Sequence, residues 1–249
     1  KKHWIENVGC EWTELSKDEV FEIEPALNKE KKVAGGIYTE SDASGDIHKY
    51  CVDLSRVLSS KYGVKFRFNE KVKDINGTRF PIISTDKEDI PFDKVVICAG
   101  VKTQEFRNKF RDNFRIYPVK GYSITIDLDD EISKSAAPHV SIKDDHNKIV
   151  SSRLGNRLRV AGTAELAGEN KEVREERITP LIEWVNNCFP EVNTENIITW
   201  AGLRPMTSDM VPIMRESKRK NVFYNSGHGH LGWTMGAFAG KFISDLIED

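Results

Sequence analysis

A glycine cluster late in the sequence has the spacing that phosphate- and cofactor-binding loops use. Asn221–Ser226 is an apolar run typical of a short buried strand, and Gly227–Gly232 follows it with the pattern G-x-G-x-x-G. From Trp233 onward a helix is predicted, because apolar residues recur at helical spacing at Met235, Phe238, Phe242 and Leu246. A strand, a glycine-rich turn and a helix N-terminus together present backbone N–H groups to an anion or to the electron-rich edge of a ring.

The same cluster does not complete the dinucleotide-binding pattern. In that pattern the helix leads to a second strand, which carries a ribose-binding acid about 20 residues further on. Here the sequence reaches Asp249 without such a strand, so we do not expect Asp245, Glu248 or Asp249 to hold a ribose. We interpret the cluster as a contact for an anion or a cofactor, and a nicotinamide enzyme built on it is disfavoured.

Two further segments combine glycine with buried or charged residues. Val95–Gly100 is typical of a buried strand that runs into glycine, where a cofactor or another part of the chain can approach closely. Gly202–Asp209 holds Arg204 between glycine and proline, and the guanidinium fork suits bidentate capture of a carboxylate. A structural role stays open for both segments, and Asp209 is either a partner of Arg204 or a turn-forming residue.

The composition sets limits on the class of protein. The chain has 249 residues, of which 39% are hydrophobic and 31% charged, and its net charge is −2. This balance offers no electrostatic reason to expect a nucleic-acid partner. No apolar stretch approaches the roughly 20 residues of a membrane span, and the opening residues lack the apolar core of a signal peptide.

The residues that usually hold metals or form disulfides are scattered. We interpret the cysteines as reduced, buried apolar residues of a cytoplasmic protein: Cys10, Cys51, Cys98 and Cys188. His228 and His230 have no third ligand at a usual spacing, so no metal site is predicted. No Ser-His-Asp order, acidic pair or Walker loop is present, and we assign no catalytic acid, base or nucleophile.

Hydrophobic periodicity predicts a mixed α/β (α+β) fold. A helix is expected from Asp46 to Tyr62 with Gly63 as its stop, followed by strands at Val64–Phe68 and Lys71–Ile75. Further along the sequence, alternating apolar residues predict antiparallel strands with a hairpin turn at Gly155–Asn156. An amphipathic helix is predicted from Arg174 to Phe189. A capping box at Ser16–Glu19 predicts a helix near the start. These blocks divide the chain into 1–45, 46–117, 118–200 and 201–249.

Taken in this order, the segments resemble the flavin-dependent D-amino acid oxidase superfamily, and within it the bacterial D-amino acid dehydrogenases. The specific motifs are Gly202-Leu-Arg-Pro-Met-Thr207 with Asp209, and Gly227-His-Gly-His-Leu-Gly-Trp-Thr-Met235. Weaker matches are Glu24-Pro-Ala-Leu27, Pro118-Val-Lys-Gly-Tyr-Ser123 and Arg157-Leu-Arg-Val160. The resemblance implies an incomplete FAD-binding domain in 46–117 and 201–249. It also implies a substrate domain with an antiparallel or mixed sheet in 1–45 and 118–200.

The resemblance also implies roles for particular residues. Arg204 would pair with the substrate carboxylate, with Tyr122 and Lys148 as further substrate-pocket residues. The implied FAD contacts are Ala99, Gly100, Gly202, Gly227, His228, Gly229, Leu231, Gly232, Trp233 and Thr234. Gly229 is expected either to adopt a positive φ angle or to lie against the flavin ring, and we favour the ring contact.

The reaction implied by the resemblance is hydride transfer from a D-amino acid to FAD, which yields a 2-oxo acid and ammonia. The electron acceptor would be separate, with the respiratory chain as one candidate, and the location would be cytoplasmic or peripheral at the inner membrane. Nucleic acid is not an expected partner, and a transmembrane segment is not expected.

Three departures from the family pattern are present in the sequence. Members begin with a strand–helix–strand unit that carries the true nucleotide fingerprint, and this sequence contains no such unit. Asn147 stands where relatives often have a tyrosine, and Met210 stands where glycine is expected after Asp209. The sequence is then a fragment of a longer protein, the product of a split gene, or a subunit to which an N-terminal FAD-domain partner supplies that unit. The alternative is a non-catalytic remnant that folds but does not bind FAD without that partner.

Overall fold

The computed structural model describes residues 11–248. Within these residues the helices are α1 (Lys17–Ile23), α2 (Ile47–Tyr62), α3 (Thr103–Phe110), α4 (Glu131–Ala136), α5 (Glu175–Cys188) and α6 (Gly232–Glu248). A short 3₁₀ turn, Gly100–Lys102, precedes α3. The expectations for Cys10 and for the opening residues lie outside the described part of the chain.

The strands are β1 (Thr13–Leu15), β2 (Gly36–Tyr38), β3 (Val72–Asn76), β4 (Ile82–Thr85), β5 (Asp89–Pro91), β6 (Val95–Ile97), β7 (Tyr117–Asp127), β8 (Ile142–Asp144), β9 (Ile149–Arg153), β10 (Arg157–Glu165), β11 (Ile197–Met206), β12 (Ile213–Glu216) and β13 (Val222–Ser226). They form sheets ordered β1-β2, β11-β7-β10-β9-β8, β12-β13-β6 and β3-β4-β5. The mixed helices and sheets confirm the predicted fold class.

The chain folds into two compact units. The first contains residues up to 46 together with 121–164 and 171–202, and the second contains 47–120, 165–170 and 203 onward. The chain therefore passes between the units several times, and β7 and β11 each run from one unit into the other. The assignment of one unit to substrate and the other to cofactor stays a prediction.

The core of the first unit lies between the five-stranded sheet and α5. The apolar face of α5 buries Leu181 and Val185, and β7 contributes Ile124 and Ile126 to the same cluster. The hairpin between β9 and β10 turns at Gly155, whose φ of +65° is favourable for glycine. This hairpin and the capping box at Ser16 are confirmed as the sequence predicts.

The core of the second unit surrounds a parallel pair of strands. β6 pairs in parallel with β13, and Val95, Ile97, Val222 and Tyr224 form a buried cluster there. The prediction of α2 is confirmed, and Gly63 follows it with a φ of +67°. Short apolar runs such as those of β6 and β13 are typical of parallel strands that are covered on both faces.

Two predictions made from hydrophobic pattern and residue type are wrong. The segment 64–68 alternates as a strand would, yet it forms no strand, because no described strand pairs with it. Cys51 and Cys98 are exposed, and only Cys188 of the cysteines in the described residues is buried. Cys51 is exposed because it lies on the surface helix α2, and Cys98 because it lies in the loop after β6. The spacing of residues in the sequence does not reveal these positions.

The longest helices of the described chain fall short, in length or in hydropathy, of what crossing a bilayer requires. Among the same residues, no three side chains of His, Cys, Asp or Glu are grouped in a way that would hold a metal ion.

Candidate functional site

The glycine cluster forms a compact turn between β13 and α6. Gly227 has a φ of +78° and Gly229 a φ of +57°, both in the left-handed region that favours glycine. A Cβ on Gly227 would lie 2.9 Å from Cγ2 of Thr207, and a Cβ on Gly229 would lie 2.7 Å from Sδ of Met206. Both glycines are therefore explained by backbone conformation and by close packing against β11 and the residue that follows it.

Backbone contacts join this turn to the Arg204 segment. The N–H of Gly229 donates to the carbonyl oxygen of Pro205 at 3.0 Å, and Met206 forms an antiparallel bridge with His228. Arg204 itself lies near the end of β11 and is partly buried. Arg204 therefore lies on the same strand two residues before Met206, which pairs with His228 of the glycine turn.

A hydroxyl pair joins the turn to the third candidate segment. Oγ1 of Thr103 donates to Oγ of Ser226 at 2.9 Å, and the Ser226 hydroxyl donates to the carbonyl oxygen of Gly100 at 3.2 Å. Gly100 has a φ of +55°, and apart from its chain neighbours no atom of residues 11–248 lies within 4 Å of the position that its Cβ would take. The parallel pairing of β6 with β13 and this hydroxyl pair place Gly100 beside the start of the glycine turn.

The second unit thus brings together all three segments that the sequence singles out. Ala99 and Gly100 follow β6, the end of β11 carries Arg204, and Gly227–Thr234 lead into α6. The N–H groups of the first turn of α6 have no partners within the helix, and they give this end a partial positive charge. Leu231, Trp233 and Thr234 are exposed there.

His228 adds a neutral polar group at this place. Burial lowers the pKa of His228 below its ordinary value, so the imidazole stays uncharged near neutral pH. Its Nε2 is buried and, within the described residues, has no hydrogen-bond partner. Buried polar atoms are normally satisfied, so an orphaned atom beside a helix N-terminus indicates room for a polar group that is not part of this chain.

Gly202 and Asp209 frame the Arg204 segment in different ways. A Cβ on Gly202 would lie 2.0 Å from Cη2 of the Trp200 ring, so glycine here makes room for an aromatic side chain. The carboxylate of Asp209 accepts the N–H of Val211 at 3.1 Å, which is the turn-forming role. Met210, where glycine was expected, has a φ of +64°, so the backbone keeps the glycine-type conformation without the glycine.

Tyr122 and Lys148 lie in the first unit, whereas Arg204 lies in the second. Tyr122 is fully buried with Ile124 and Leu158 in the core of the first unit. Lys148 follows the turn before β9, where its Nζ lies 3.3 Å from Oδ1 of Asp145 on an exposed surface. Their role as substrate contacts stays a prediction.

Sequence reasoning missed a cationic group in the first unit. Arg159 of β10 donates from Nη2 to Oγ of Ser123 at 3.2 Å, and its guanidinium carbon lies 6.0 Å from the Trp200 ring centre. Burial lowers the pKa of Arg159, which nevertheless stays charged. The alternation Arg157-Leu-Arg-Val160 is the signal that could have found it, because Leu158 and Val160 face the core and Arg159 therefore faces away.

This chain belongs to a known family. The family model described as FAD dependent oxidoreductase (DAO) matches residues 2–246. D-amino acid dehydrogenase 3 of Mesorhizobium japonicum is 46% identical over 244 residues, and the match covers 96% of this chain. D-amino acid dehydrogenase of Paramagnetospirillum magneticum is 38% identical over 230 residues. The chain spans 58% and 54% of the lengths of these two relatives.

Solved structures show the same fold. Glycine oxidase from Bacillus cereus matches with a TM-score of 0.85 at 24% identity, over 99% of this chain and 68% of that one. Glycine oxidase from Geobacillus kaustophilus matches with a TM-score of 0.87 at 22% identity, over 99% and 65%. These comparisons confirm the family resemblance and the fold class that the motifs imply.

Proposed function

We propose that this chain forms the substrate-binding portion and part of the cofactor site of an FAD-dependent D-amino acid dehydrogenase. The similarity to proteins named D-amino acid dehydrogenases supports the substrate class. The rest of the cofactor site would come from the part of those relatives that this chain does not span. That part would supply the nucleotide-binding strand–helix–strand unit as a partner.

One observation carries this proposal. Three segments meet in the second unit, and Gly100 lies more than 100 residues before Arg204 and the glycine turn in the sequence. Each segment contributes a glycine or an arginine suited to a ligand. The hydrogen bond from Gly229 to Pro205 and the Ser226–Gly100 contact hold them in place. Structural glycines alone would not explain a helix N-terminus with an orphaned imidazole nitrogen and open space at Gly100.

The residues fit FAD by the chemistry of their groups. FAD, when bound, accepts a hydride from the substrate Cα. The N-terminus of α6, with Gly232, Trp233 and Thr234, would favour negative charge on the bound ring through its partial positive charge. Gly100 would leave room for a phosphate or ribose, and neutral His228 would add a hydrogen-bonding group without adding charge.

For the substrate, Arg204 would hold the α-carboxylate through paired N–H donors, which orients Cα. We propose a separate electron acceptor, such as the respiratory chain. No catalytic acid or base is assigned, because hydride transfer places little demand on proton transfer by the protein. A location in the cytoplasm or at the inner face of the membrane would suit such an acceptor.

A visible absorption spectrum tests the proposal. The purified chain is mixed with FAD in two samples, one without and one with the part of D-amino acid dehydrogenase 3 that this chain does not span. Each sample is then passed over a gel-filtration column. We expect the chain alone to lose FAD, because under this proposal the pyrophosphate would be held by the part of the relatives that this chain does not span. The combined sample should stay yellow and be bleached by D-amino acids without oxygen.

Three results would contradict the proposal. Stoichiometric flavin on the chain alone would show that the cofactor site is complete without a partner. A combined sample that holds flavin but is bleached by no D-amino acid, with L-enantiomers as the control, would exclude the substrate class. A combined sample that forms but holds no flavin would support a non-catalytic remnant.

A further inference from the structure

A cavity lined by charged and polar side chains lies at the end of α3. It has a volume of about 520 Å³, and its lining residues are Arg107, Asn108, Arg111, Asp112, Asn113 and Lys218. None of these residues is apolar, whereas pockets for apolar substrates or cofactors are lined mainly by hydrophobic side chains. The cavity therefore suits a polar ligand, and its whole lining belongs to the second unit.

This cavity lies at the opposite end of β13 from the glycine turn. Ser217 donates its N–H to the carbonyl oxygen of Val222 at 2.8 Å, which places Lys218 beside the start of β13. The glycine turn follows the other end of this strand, roughly 16 Å further along it. On the neighbouring segment, the eight residues of α3 span about 12 Å between Gly100 and the cavity. The cavity is therefore separate from the glycine turn.

Basic side chains outnumber acidic ones around the cavity. Arg107 and Arg111 are four residues apart, so both extend from the same side of α3. Like charges at this spacing repel each other, and Lys218 adds a third positive charge. Cations are favourable near a helix C-terminus, but that end carries only about half an elementary negative charge. The helix end alone does not account for three cations in one cavity.

The carboxylate in the lining is occupied by other donors. Oδ2 of Asp112 accepts the hydroxyls of Ser217 at 2.5 Å and Tyr224 at 2.8 Å, and its Oδ1 accepts the Lys218 N–H at 2.8 Å. Burial by itself would raise the pKa of Asp112, but these hydrogen bonds outweigh it and lower the pKa. Among residues 11–248, Asp112 forms no ion pair with either arginine of the cavity. The positive charge of the two arginines is therefore not neutralised by this carboxylate.

Several donor groups of the cavity have no acceptor within the described residues. Nε of Arg107 is buried and has no hydrogen-bond partner there. Its Nη1 donates to Oδ1 of Asn108 at 2.9 Å, which leaves the amide nitrogen of Asn108 to donate elsewhere. The guanidinium of Arg111 forms no hydrogen bond or ion pair with residues 11–248. Buried donors normally have acceptors, so this arrangement indicates an acceptor that is not part of the chain.

We infer that this cavity binds phosphate or the phosphoryl group of a small molecule. An arginine guanidinium presents paired N–H donors that match phosphate oxygens, and a lysine adds a point charge. A phosphoryl group fits better than a single carboxylate, because its charge is close to −2 and its three acceptor oxygens can meet three cations. The cavity is large enough for a phosphorylated small molecule. The site is independent of the proposed function, because its residues lie outside the three segments that carry that function.

Amide chemical shifts test the position of the site. The ¹⁵N-labelled chain is titrated at low ionic strength with inorganic phosphate, with ribose 5-phosphate and with acetate. We expect saturable shifts of the amides of residues 107–113 and of Lys218 with both phosphates, and much smaller shifts with acetate. The amides of residues 227–232 are the internal control, because the helix N-terminus beside them is another place where an anion could bind.

Substitutions test the chemistry by affinity. Arg111→Gln removes a guanidinium that contacts no other group in the described chain, so the fold should be kept, and the Kd for phosphate should rise about tenfold or more. Lys218→Gln should have a similar effect. Arg111→Lys keeps the charge but loses the paired donors, so its effect should be smaller than that of Arg111→Gln. Lys61→Gln, at an exposed residue of α2, is the matched control and should change the Kd less than about twofold.

The possible outcomes either uphold or overturn the site. Tighter binding of ribose 5-phosphate than of phosphate would identify a phosphorylated small molecule as the ligand, and equal binding would identify phosphate itself. Both results uphold the site. Absence of saturable binding, shifts confined to residues 227–232, equal losses for Lys61→Gln and Arg111→Gln, or acetate binding as tight as phosphate binding would overturn it. These measurements need neither flavin nor turnover, so failure of the proposed function would leave them unchanged.

Discussion

Gly229 and Met210 both adopt the left-handed backbone conformation, which glycine tolerates and methionine does not. Both have a positive φ angle, +57° and +64°, although only one of them is glycine. A residue with a Cβ in this conformation is strained by about 1–2 kcal/mol. The preference for a flavin contact at Gly229 is therefore not needed to explain the glycine, because conformation and packing against Met206 already require it.

Opposite substitutions at these two residues should have opposite effects. Gly229→Ala should lower the free energy of unfolding of the chain without FAD by about 1–2 kcal/mol. Met210→Gly should raise it by about 0.5–1 kcal/mol, since relief of strain exceeds the added flexibility of the unfolded chain. Urea denaturation measures both. Asn69→Gly is the control, because asparagine tolerates its φ of +54° and little should be gained. An unchanged stability for Gly229→Ala would restore the flavin contact as the reason for the glycine.

Arg204→Lys tests the proposed carboxylate contact in the assembled enzyme. Lysine keeps the charge and loses the bidentate geometry, which should cost about 1.5–3 kcal/mol, or one to two decades in kcat/KM. The flavin spectrum should stay nearly unchanged. Arg159→Lys is the matched control on the other unit, and a larger loss there would move the carboxylate contact from Arg204 to Arg159.

At the scale of elements, one carboxylate ties the end of β8 to α5. Asp144 accepts the Trp184 indole N–H at 2.9 Å and the Asn147 side-chain amide at 2.8 Å. Burial by itself would raise the pKa of Asp144, but these hydrogen bonds outweigh it and lower the pKa to about 2. The ionised carboxylate of Asp144 therefore holds β8 and α5 together.

The stabilisation that Asp144 provides depends on pH. Because the folded pKa lies below the ordinary value of 3.8, the stabilisation is complete above about pH 4 and is lost as pH falls towards 2. Asp144→Asn should cost about 1–2 kcal/mol at pH 6 and much less near pH 2, measured by urea denaturation. Asp145→Asn, on an exposed ion pair with Lys148, should leave the free energy of unfolding nearly unchanged, because solvent screens this pair. An equal cost for both variants at pH 6 would contradict the role of the tie.

For the whole molecule, the division into two units shapes what this chain does. The first unit has a core around α5; in the second, β6 is at the edge of its sheet among the described residues, and α2 and α6 expose apolar side chains. Membership of the FAD-dependent oxidoreductase family explains this difference if the remaining length of its relatives completes the second unit. Stability of the second unit should then rise when that part is bound, because binding to the folded state alone shifts unfolding.

The sequence by itself determined the local elements and the candidate segments. Periodicity and glycine spacing gave α2, the β9–β10 hairpin and the glycine turn before α6, because these depend on residues close together in the chain. The motifs likewise sufficed for the family, since Gly227–Met235 is a long, specific run.

Tertiary structure alone decided which residues are buried and which segments meet. The segment 64–68 has a strand pattern but pairs with no strand in the described part of the chain. Phe238 and Phe242 are apolar but exposed, and Arg159 contacts a tryptophan 41 residues away in sequence. A strand needs another strand to pair with, and the apolar face of a helix needs another element to pack against. These partners, like Pro205 for the Gly229 N–H, are distant along the chain. Such partners depend on the packing of the whole molecule, which local periodicity does not encode.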